Sequence, residues 1–457
     1  MTLSRQFVDI LHGFSEANLT PDMTRGLKEH CIDLLGTTAG GVRQGALAKI
    51  ILKDFAARGQ RSGESSVIGT PYRTTAEQAA LVNGITGHAL ELDDGSRYAY
   101  GHPAVVTYAA LFPLAEVLHC SGKEFLLAAA VGFETFIRLG QACNTNLLDN
   151  GFHTTGVVGT MAAAMACAKL CRLSPEGMLN ALGVAGLCAS GLMITLASGG
   201  TLKPFTAGRA AMNGVAAARL AKLGAEGAPD ILEGKDGYIF SFSRKEPDRD
   251  ILLAPAGSPY GVERSNIKPY PSCRYTHAPI DCALAVRPRL EGRLGEIREI
   301  LVTTYPTAMA KAFKPDLPTT PSIARFNISF AVALALASGY PGIDDFHPDR
   351  AKEPLIRELF SKTRCVSDPA YENAATNTRG AEIAVTMQDG SVCSARVPLA
   401  LGEPENPITR EALLSKFTDL AAPVWGDRRR AALLDTIDKL EEVEDMAMVA
   451  SLLASAD

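Results

Sequence analysis

The chain has 457 residues, 47% hydrophobic and 21% charged, and its 45 basic and 50 acidic side chains leave a net charge of −5. That length allows about three units at ~150 residues each and a large buried core. The apolar content excludes a mainly disordered chain, and without a basic excess no nucleic-acid partner is expected.

The opening residues, Met1 to Asp9, carry no apolar run of the signal-peptide kind. Ten cysteines are scattered without a CxxC pair. This predicts reduced thiols, neither a disulfide framework nor a zinc module, and a cytoplasmic location. From the start to about residue 265 the pattern is helical and rich in Ala and Gly. Thr20-Pro21-Asp22 reads as an N-cap with Pro at the first helical position, followed by Leu27, Cys31, Leu34 and Leu35 at helical spacing. Thr75 with Gln78 resembles a capping box opening a helix to about His88. Long helices are expected at about 103–120, 124–141, 155–171, 175–196 and 206–223. The run from Gly177 to Leu202 has no charge and is long enough to span a bilayer. It is rich in Gly, Ser and Thr and lacks flanking aromatic anchors, so it is read as a buried core helix and no membrane partner is expected.

The character changes near Pro255-Ala-Gly-Ser-Pro. Glu296 to Tyr305 reads as a strand, with Ile300 and Val302 on one face and Leu301 on the other. From Ala381 to Pro398 the alternation of Ile383, Val385 and Met387, then Cys393, Ala395 and Val397, predicts a hairpin with Asp389-Gly390 as a two-residue turn. Helices are expected between these strands at about 278–290, 322–338 and 350–362, and afterwards at about 409–420 and 427–453. Asp427-Arg-Arg-Arg reads as a solvated helix start. The expected architecture is mainly α, with a large helical domain from both chain ends (1–265 and 401–457) and a smaller α+β domain (266–400) inserted between them.

Four ionisable side chains fall at or just before predicted helix N-termini: His102 before Pro103, His153 before Thr154-Thr155, Lys203 before Pro204, and His277 before Ala278-Pro279. Helix N-termini attract carboxylates and favour a neutral histidine, which suits a general base. A second group is His88-Ala-Leu-Glu91-Leu-Asp93-Asp94, with His102 eight residues beyond. Three carboxylates after a helix C-terminus oppose the helix dipole. They read either as groups that orient a histidine, shuttle a proton or bind Mn or Zn, or as a solvated turn. A third is Lys268-Pro-Tyr270-Pro-Ser-Cys273-Arg274-Tyr275-Thr-His277, in which Arg274 has the geometry to grip a carboxylate and Cys273 is read as packing. Gly199-Gly200-Thr-Leu-Lys203 lacks P-loop spacing, and no GxGxxG follows a predicted strand.

Taken in order, His88 to Asp94 with Gly101-His102-Pro103, Gly151-Phe-His153-Thr-Thr-Gly, Lys203-Pro-Phe with Gly208-Arg-Ala-Ala-Met-Asn213-Gly, and Tyr270-Pro-Ser-Cys-Arg-Tyr-Thr-His277 resemble the MmgE/PrpD family. The resemblance extends over nearly the whole chain, including Ala324 to Phe330 and Asn406-Pro-Ile-Thr. It implies a helical domain with an α+β lid, a homodimer, and an active site in the cleft. It also implies cofactor-free chemistry, with no metal, on small di- or tricarboxylates. By motif position it places Glu91, His102, His153, Lys203 and His277 in the site, with Asp94 and Arg274 close by. Lys268, Tyr275 and His88 are taken as further substrate contacts. Two departures stand out: Glu91 where the family usually has Asp, and Phe330 where several members have Tyr. Both are expected at or near the pocket, so the substrate need not be that of a known member.

The chemistry this resemblance implies is the making or quenching of a carbanion next to a carboxylate. His102 and His153 are the candidate acid/base pair. Lys203 and His277 are carboxylate binders or second proton donors, and Glu91 or Asp94 orients a histidine. The favoured net reaction is dehydration of a 2-methylcitrate-like acid. The alternatives are epimerisation, decarboxylation of a cis-aconitate-like acid, a metal-dependent hydrolase on the His88–His102 cluster, and a silent polycarboxylate binder.

Overall fold

The computed structural model of the protein describes residues 1–197, 199–257, 259–373 and 378–455. The chain divides into two compact units, Met1–Asn266 with Thr409–Asp457, and Ile267–Ile408. Mainly α architecture follows from the first of these. Its helices run α1 (Leu3–His12), α2 (Pro21–Gln44), α3 (Ala46–Ala57), α4 (Ala76–Gly87), α5 (Pro103–Leu118), α6 (Gly122–Cys143), the short α7 (Asn146–Asp149), α8 (Thr154–Leu170), α9 (Pro175–Cys188), the short α10 (Ile194–Ala197) and α11 (Lys203–Lys222), then α12 (Tyr238–Ser243) and α13 (Arg249–Leu252). A two-residue ladder, β1 (Ser65–Ser66) with β2 (Arg73–Thr74), is the exception in an otherwise helical unit.

Local signals set most of these boundaries. The Thr20, Thr75, Ser121 and Ser174 side chains each accept a backbone N–H from the first turn of the helix they open. Small residues let the helices approach closely. A Cβ on Gly84 would stand 2.6 Å from the Gly208 Cα, and one on Gly208 would stand 2.3 Å from the Leu81 carbonyl oxygen. Only glycine permits this contact of α4 with α11, the helix that begins at Lys203.

The second unit holds α14 (His277–Val286), β3 (Ile297–Thr304), α15 (Pro306–Ala312), α16 (Pro321–Arg325), α17 (Ile328–Ser338), α18 (Pro354–Lys362), β4 (Thr363–Ser367), the short pair β5 (Glu372–Asn373) and β6 (Thr378–Arg379), and β7 (Ala381–Met387) and β8 (Val392–Val397). Its four-stranded sheet has the order β4-β3-β7-β8. β3 runs parallel to β4 and antiparallel to β7, with Ile300 opposite Val385 and Val302 opposite Ile383. These four side chains are fully buried, with Ile297, Met387 and the helix residues Ile328, Phe330 and Leu334 in the same apolar core. Phe330, expected near a pocket, is one of those core residues. The chain then returns to the first unit through α19 (Arg410–Ala421), α20 (Asp427–Asp438) and α21 (Met446–Leu453).

Several expectations need correction. The uncharged run does not form one buried helix. α9 stops at Cys188, Gly191 takes φ 148, and Leu187, Leu192, Ile194 and Leu202 are exposed. The break has a local cause: the Gly191 carbonyl accepts the His153 N–H, and the Met193 N–H donates to the Gly151 carbonyl. Ser198 in this run and Ser258 in the Pro255 motif lie outside the described residues. The helix expected at 322–338 breaks at Asn327, whose side chain caps α17, and the one at 427–453 breaks between α20 and α21. The hairpin turn has three residues, Gln388-Asp389-Gly390, with Gly390 at φ 84. β4 was not foreseen, because Thr363 to Ser367 shows no apolar alternation. Among the described residues one helix, α6, is long and apolar enough to cross a membrane, and 89% of its most apolar window is buried within the protein.

Candidate active site

The C-terminus of α4 and the N-termini of α5, α8 and α11 bring one group of predicted residues together. His88 caps the end of α4, His102 and His153 are the N-cap residues of α5 and α8, and Lys203 begins α11. The ring centroids of His88 and His102 are 4.6 Å apart, and those of His88 and His153 are 6.1 Å apart. Lys203 forms an ion pair with Glu91, and both side chains are buried. Glu91 and Tyr100 have left-handed backbones, φ 56 and 58, unusual for residues with a Cβ and typical of loops held in place for function.

The hydrogen bonds fix the tautomer of each imidazole. The Thr206 hydroxyl donates to the Lys203 carbonyl at 2.8 Å, so its oxygen accepts from His153 Nδ1 at 2.9 Å. His102 Nδ1 donates to the Asp94 backbone carbonyl at 2.5 Å. His88 Nδ1 lies 2.7 Å from Asp93 Oδ2, which is also 3.4 Å from His102 Nδ1. In the neutral rings the lone pair therefore sits on Nε2 in all three. Nε2 of His88 is buried and has no hydrogen-bond partner among the described residues. Burial, reinforced by the Lys203 charge, holds His153 well below the ordinary histidine value, so it stays a neutral proton acceptor.

Asp94 meets His102 through its backbone carbonyl, while its side chain faces other groups. Its carboxylate accepts the Ala104 N–H at 3.1 Å, capping α5, and lies 3.4 Å from Nδ1 of His30. Burial raises it to about 6, against the opposing pull of His30 and the Ala104 N–H, with Asp93 adding to the rise. A carboxyl raised on folding stabilises the protein at low pH, and that contribution is lost as pH rises from about 4 through about 6. Asp94→Asn removes this slope. Relative to wild type, the variant should gain on the order of 2 kcal/mol between pH 4 and 7. Urea unfolding at the two pH values measures it, and parallel pH curves would refute the assignment.

Asp93, His30 and Thr206 are the residues that sequence reasoning underrated. Asp93 read only as one of three acids, while His30 and Thr206 carry no local signal beyond their places inside helices. His88, Asp93 and His102 could hold a metal ion, since one ligand atom from each lies within 4.8 Å of the others. Two imidazoles and a carboxylate suit zinc or manganese, although both Nδ1 atoms already serve oxygen partners.

The remaining predicted residues form a network within the second unit. Arg274 Nε donates to Glu403 at 2.7 Å, and its Nη1 donates to the Leu401 carbonyl and to His277 Nδ1 at 2.7 and 2.8 Å. The Glu403 carboxylate takes up the guanidinium that sequence reasoning offered to a substrate. His277 Nε2 faces the Ser272 carbonyl at 3.2 Å, and the ring packs edge-on against Tyr270. Lys268 is fully buried, and Tyr275 lies half-buried against Tyr305.

The first unit thus gathers His88, His102 and His153 with the buried Lys203–Glu91 pair. The chain belongs to the MmgE/PrpD family: its residues 5–250 match the MmgE/PrpD N-terminal domain and residues 270–442 the C-terminal domain. It is similar to the cis-aconitate decarboxylase of Homo sapiens, with 28% identity over 466 residues, covering 99% of this chain and 94% of that protein. The Aspergillus terreus cis-aconitate decarboxylase is 29% identical over 412 residues, 86% of this chain and 84% of that one. The 2-methylcitrate dehydratase of Cupriavidus necator is 25% identical over 396 residues, 82% and 81% of the two chains. These relatives are lyases, and the chain is an enzyme of their family.

Proposed function

We propose that the protein is a lyase acting on a small di- or tricarboxylate by proton transfer at the carbon next to a carboxylate. The observation that carries this reading is the neutral His153, its Nδ1 committed to Thr206 and its Nε2 lone pair available beside Lys203. His153 takes the α-proton, and the electron pair moves into the carboxylate as an aci-carboxylate whose charge Lys203 offsets. In the dehydration we favour, that pair then forms the carbon–carbon double bond. The β-hydroxyl leaves with a proton from Nε2 of His102 in its imidazolium form, so that water is released and His102 is left neutral with its Nδ1 still on the Asp94 carbonyl.

Decarboxylation of a cis-aconitate-like acid is the second reading. It is supported by the decarboxylase relatives, which match at 27–29% identity against 23–25% for the dehydratases. There a protonated imidazole delivers a proton to carbon, and the carbon–carbon bond to the departing carboxylate supplies the electron pair. NMR of the purified protein in D₂O against a panel of di- and tricarboxylates separates the readings. Loss of water, loss of carbon dioxide and deuterium exchange with inversion each leave a distinct spectrum. Turnover should persist after chelation. Turnover that disappears with EDTA and returns with Zn²⁺ or Mn²⁺ would transfer the chemistry to the His88–Asp93–His102 group. A protein that binds the acids without exchange or turnover would refute the lyase reading.

A further inference from the structure

The loop that carries Glu91, Asp93 and Asp94 is held from below by residues far away in sequence. Lys416, on α19, reaches Asp33 Oδ1 on α2 at 2.5 Å and donates to the Leu92 carbonyl at 2.8 Å. The Lys416 and Asp33 side chains are 10% and 1% exposed. Leu92 lies between the carboxylate that pairs with Lys203 and the one that meets His88. One cation therefore grips the peptide joining the two acids. Glu91 has a left-handed backbone, which persists only where its surroundings overdetermine it. Asp94, two residues beyond Leu92, offers the carbonyl that fixes the His102 ring.

We propose that Lys416, with Asp33 beneath it, is a positioning residue for the catalytic loop. Its ammonium sets the Leu92 peptide, and through it the directions of Glu91 and Asp93. The position of Asp93 in turn governs His88 and, at 3.4 Å, His102. Lys416 acts through these groups. Its ammonium is committed to Asp33 and the Leu92 carbonyl beneath the loop, which gives it the character of a brace.

The inference rests on the acid–base reading of this site, and its test is built to fail separately from that reading. Lys416→Met alone would strand Asp33 as a buried charge, so the informative variant is Asp33→Asn/Lys416→Met, which removes both charges together. Lys416→Arg keeps a cation that reaches both oxygens. In the folded double variant kcat should fall about 10²-fold, the cost of a misplacement of about 1 Å, with KM changed much less. Lys416→Arg should recover most of the loss. At fixed pH, the ring ¹H and ¹⁵N chemical shifts of His88 and His102, which report ring position and hydrogen bonding, should move in the double variant and return toward wild type in Lys416→Arg. This readout needs no turnover, so it decides the proposal even if no polycarboxylate proves to be a substrate. A residue that only stabilised the fold would lower the unfolding midpoint and leave the ring shifts in place. Unchanged ring shifts and kcat in the folded double variant would overturn the proposal.

Discussion

His153→Gln is expected to lower kcat/KM by about 10²–10⁴-fold, the usual contribution of one positioned acid–base group. The fold should survive. Glutamine is close to histidine in size and keeps a polar amide among the groups around the Thr206 hydroxyl, which faces His153 Nδ1, and α8 keeps its start because the ring makes no capping bond to the first turn. The loss should fall in kcat, since the proposed mechanism assigns the imidazole to the chemical step and carboxylate binding to Lys203. Deuterium exchange from D₂O into the substrate should fall in parallel, because exchange reports proton abstraction even when later steps are slow.

The same experiment on His102→Gln separates acid from base. If His153 removes the proton and His102 protonates the leaving group, exchange should survive in His102→Gln while net turnover collapses. In His153→Gln both should collapse. The reverse pattern would swap the roles, and wild-type exchange in His153→Gln would end its candidacy. The pH profile adds a further check. His153 is held neutral by burial and by Lys203, so its protonation should not produce a limb at the ordinary histidine value of about 6.5.

What could be read from the sequence was the part written locally. Pro103, Thr154-Thr155 and Pro204 mark helix starts, so His102, His153 and Lys203 could each be placed at an N-terminus before any contact was known. Their shared surroundings could not be read, because that convergence depends on small residues such as Gly84 and Gly208 setting how closely α4 and α11 pass. His30 and Asp33 were invisible for a related reason. On α2 they look like polar positions of a surface helix, yet both are buried beneath the loop after α4. Lys416 meets Asp33 across 383 positions of sequence, a distance at which spacing carries no information. Asp93 and Asp94 sit side by side, and only the backbone path decides that the first turns to the histidines and the second to the start of α5. Leu187 to Leu202 failed in the opposite direction. Uniform apolarity imitated a core helix, while Gly191 and the need to satisfy the backbone around His153 broke it.

Lys203→Met carries the second large expected effect, and it acts on stability as well as chemistry. Lys203 and Glu91 are both more than nine-tenths buried, and each is the other's opposite charge. Removing one partner of a buried pair leaves an uncompensated charge, at a cost of about 3–5 kcal/mol. Turnover should also drop, because the developing aci-carboxylate loses its cation. Adding Glu91→Gln should restore much of the stability, since a neutral amide needs no counter-charge in that setting, but it should restore little of the rate. The combination distinguishes two roles for Lys203. If the lysine only neutralised Glu91, the double variant would regain both stability and turnover. If it serves the substrate carboxylate, urea midpoints should return toward wild type while kcat/KM stays low. Glu91→Asp refines the point further: the shorter carboxylate must reach Lys203 from the same left-handed backbone, so that variant should weaken the ion pair and stability more than it weakens proton abstraction by His153. A Glu91→Asp enzyme that loses deuterium exchange but keeps its unfolding midpoint would show instead that the longer side chain serves the substrate directly.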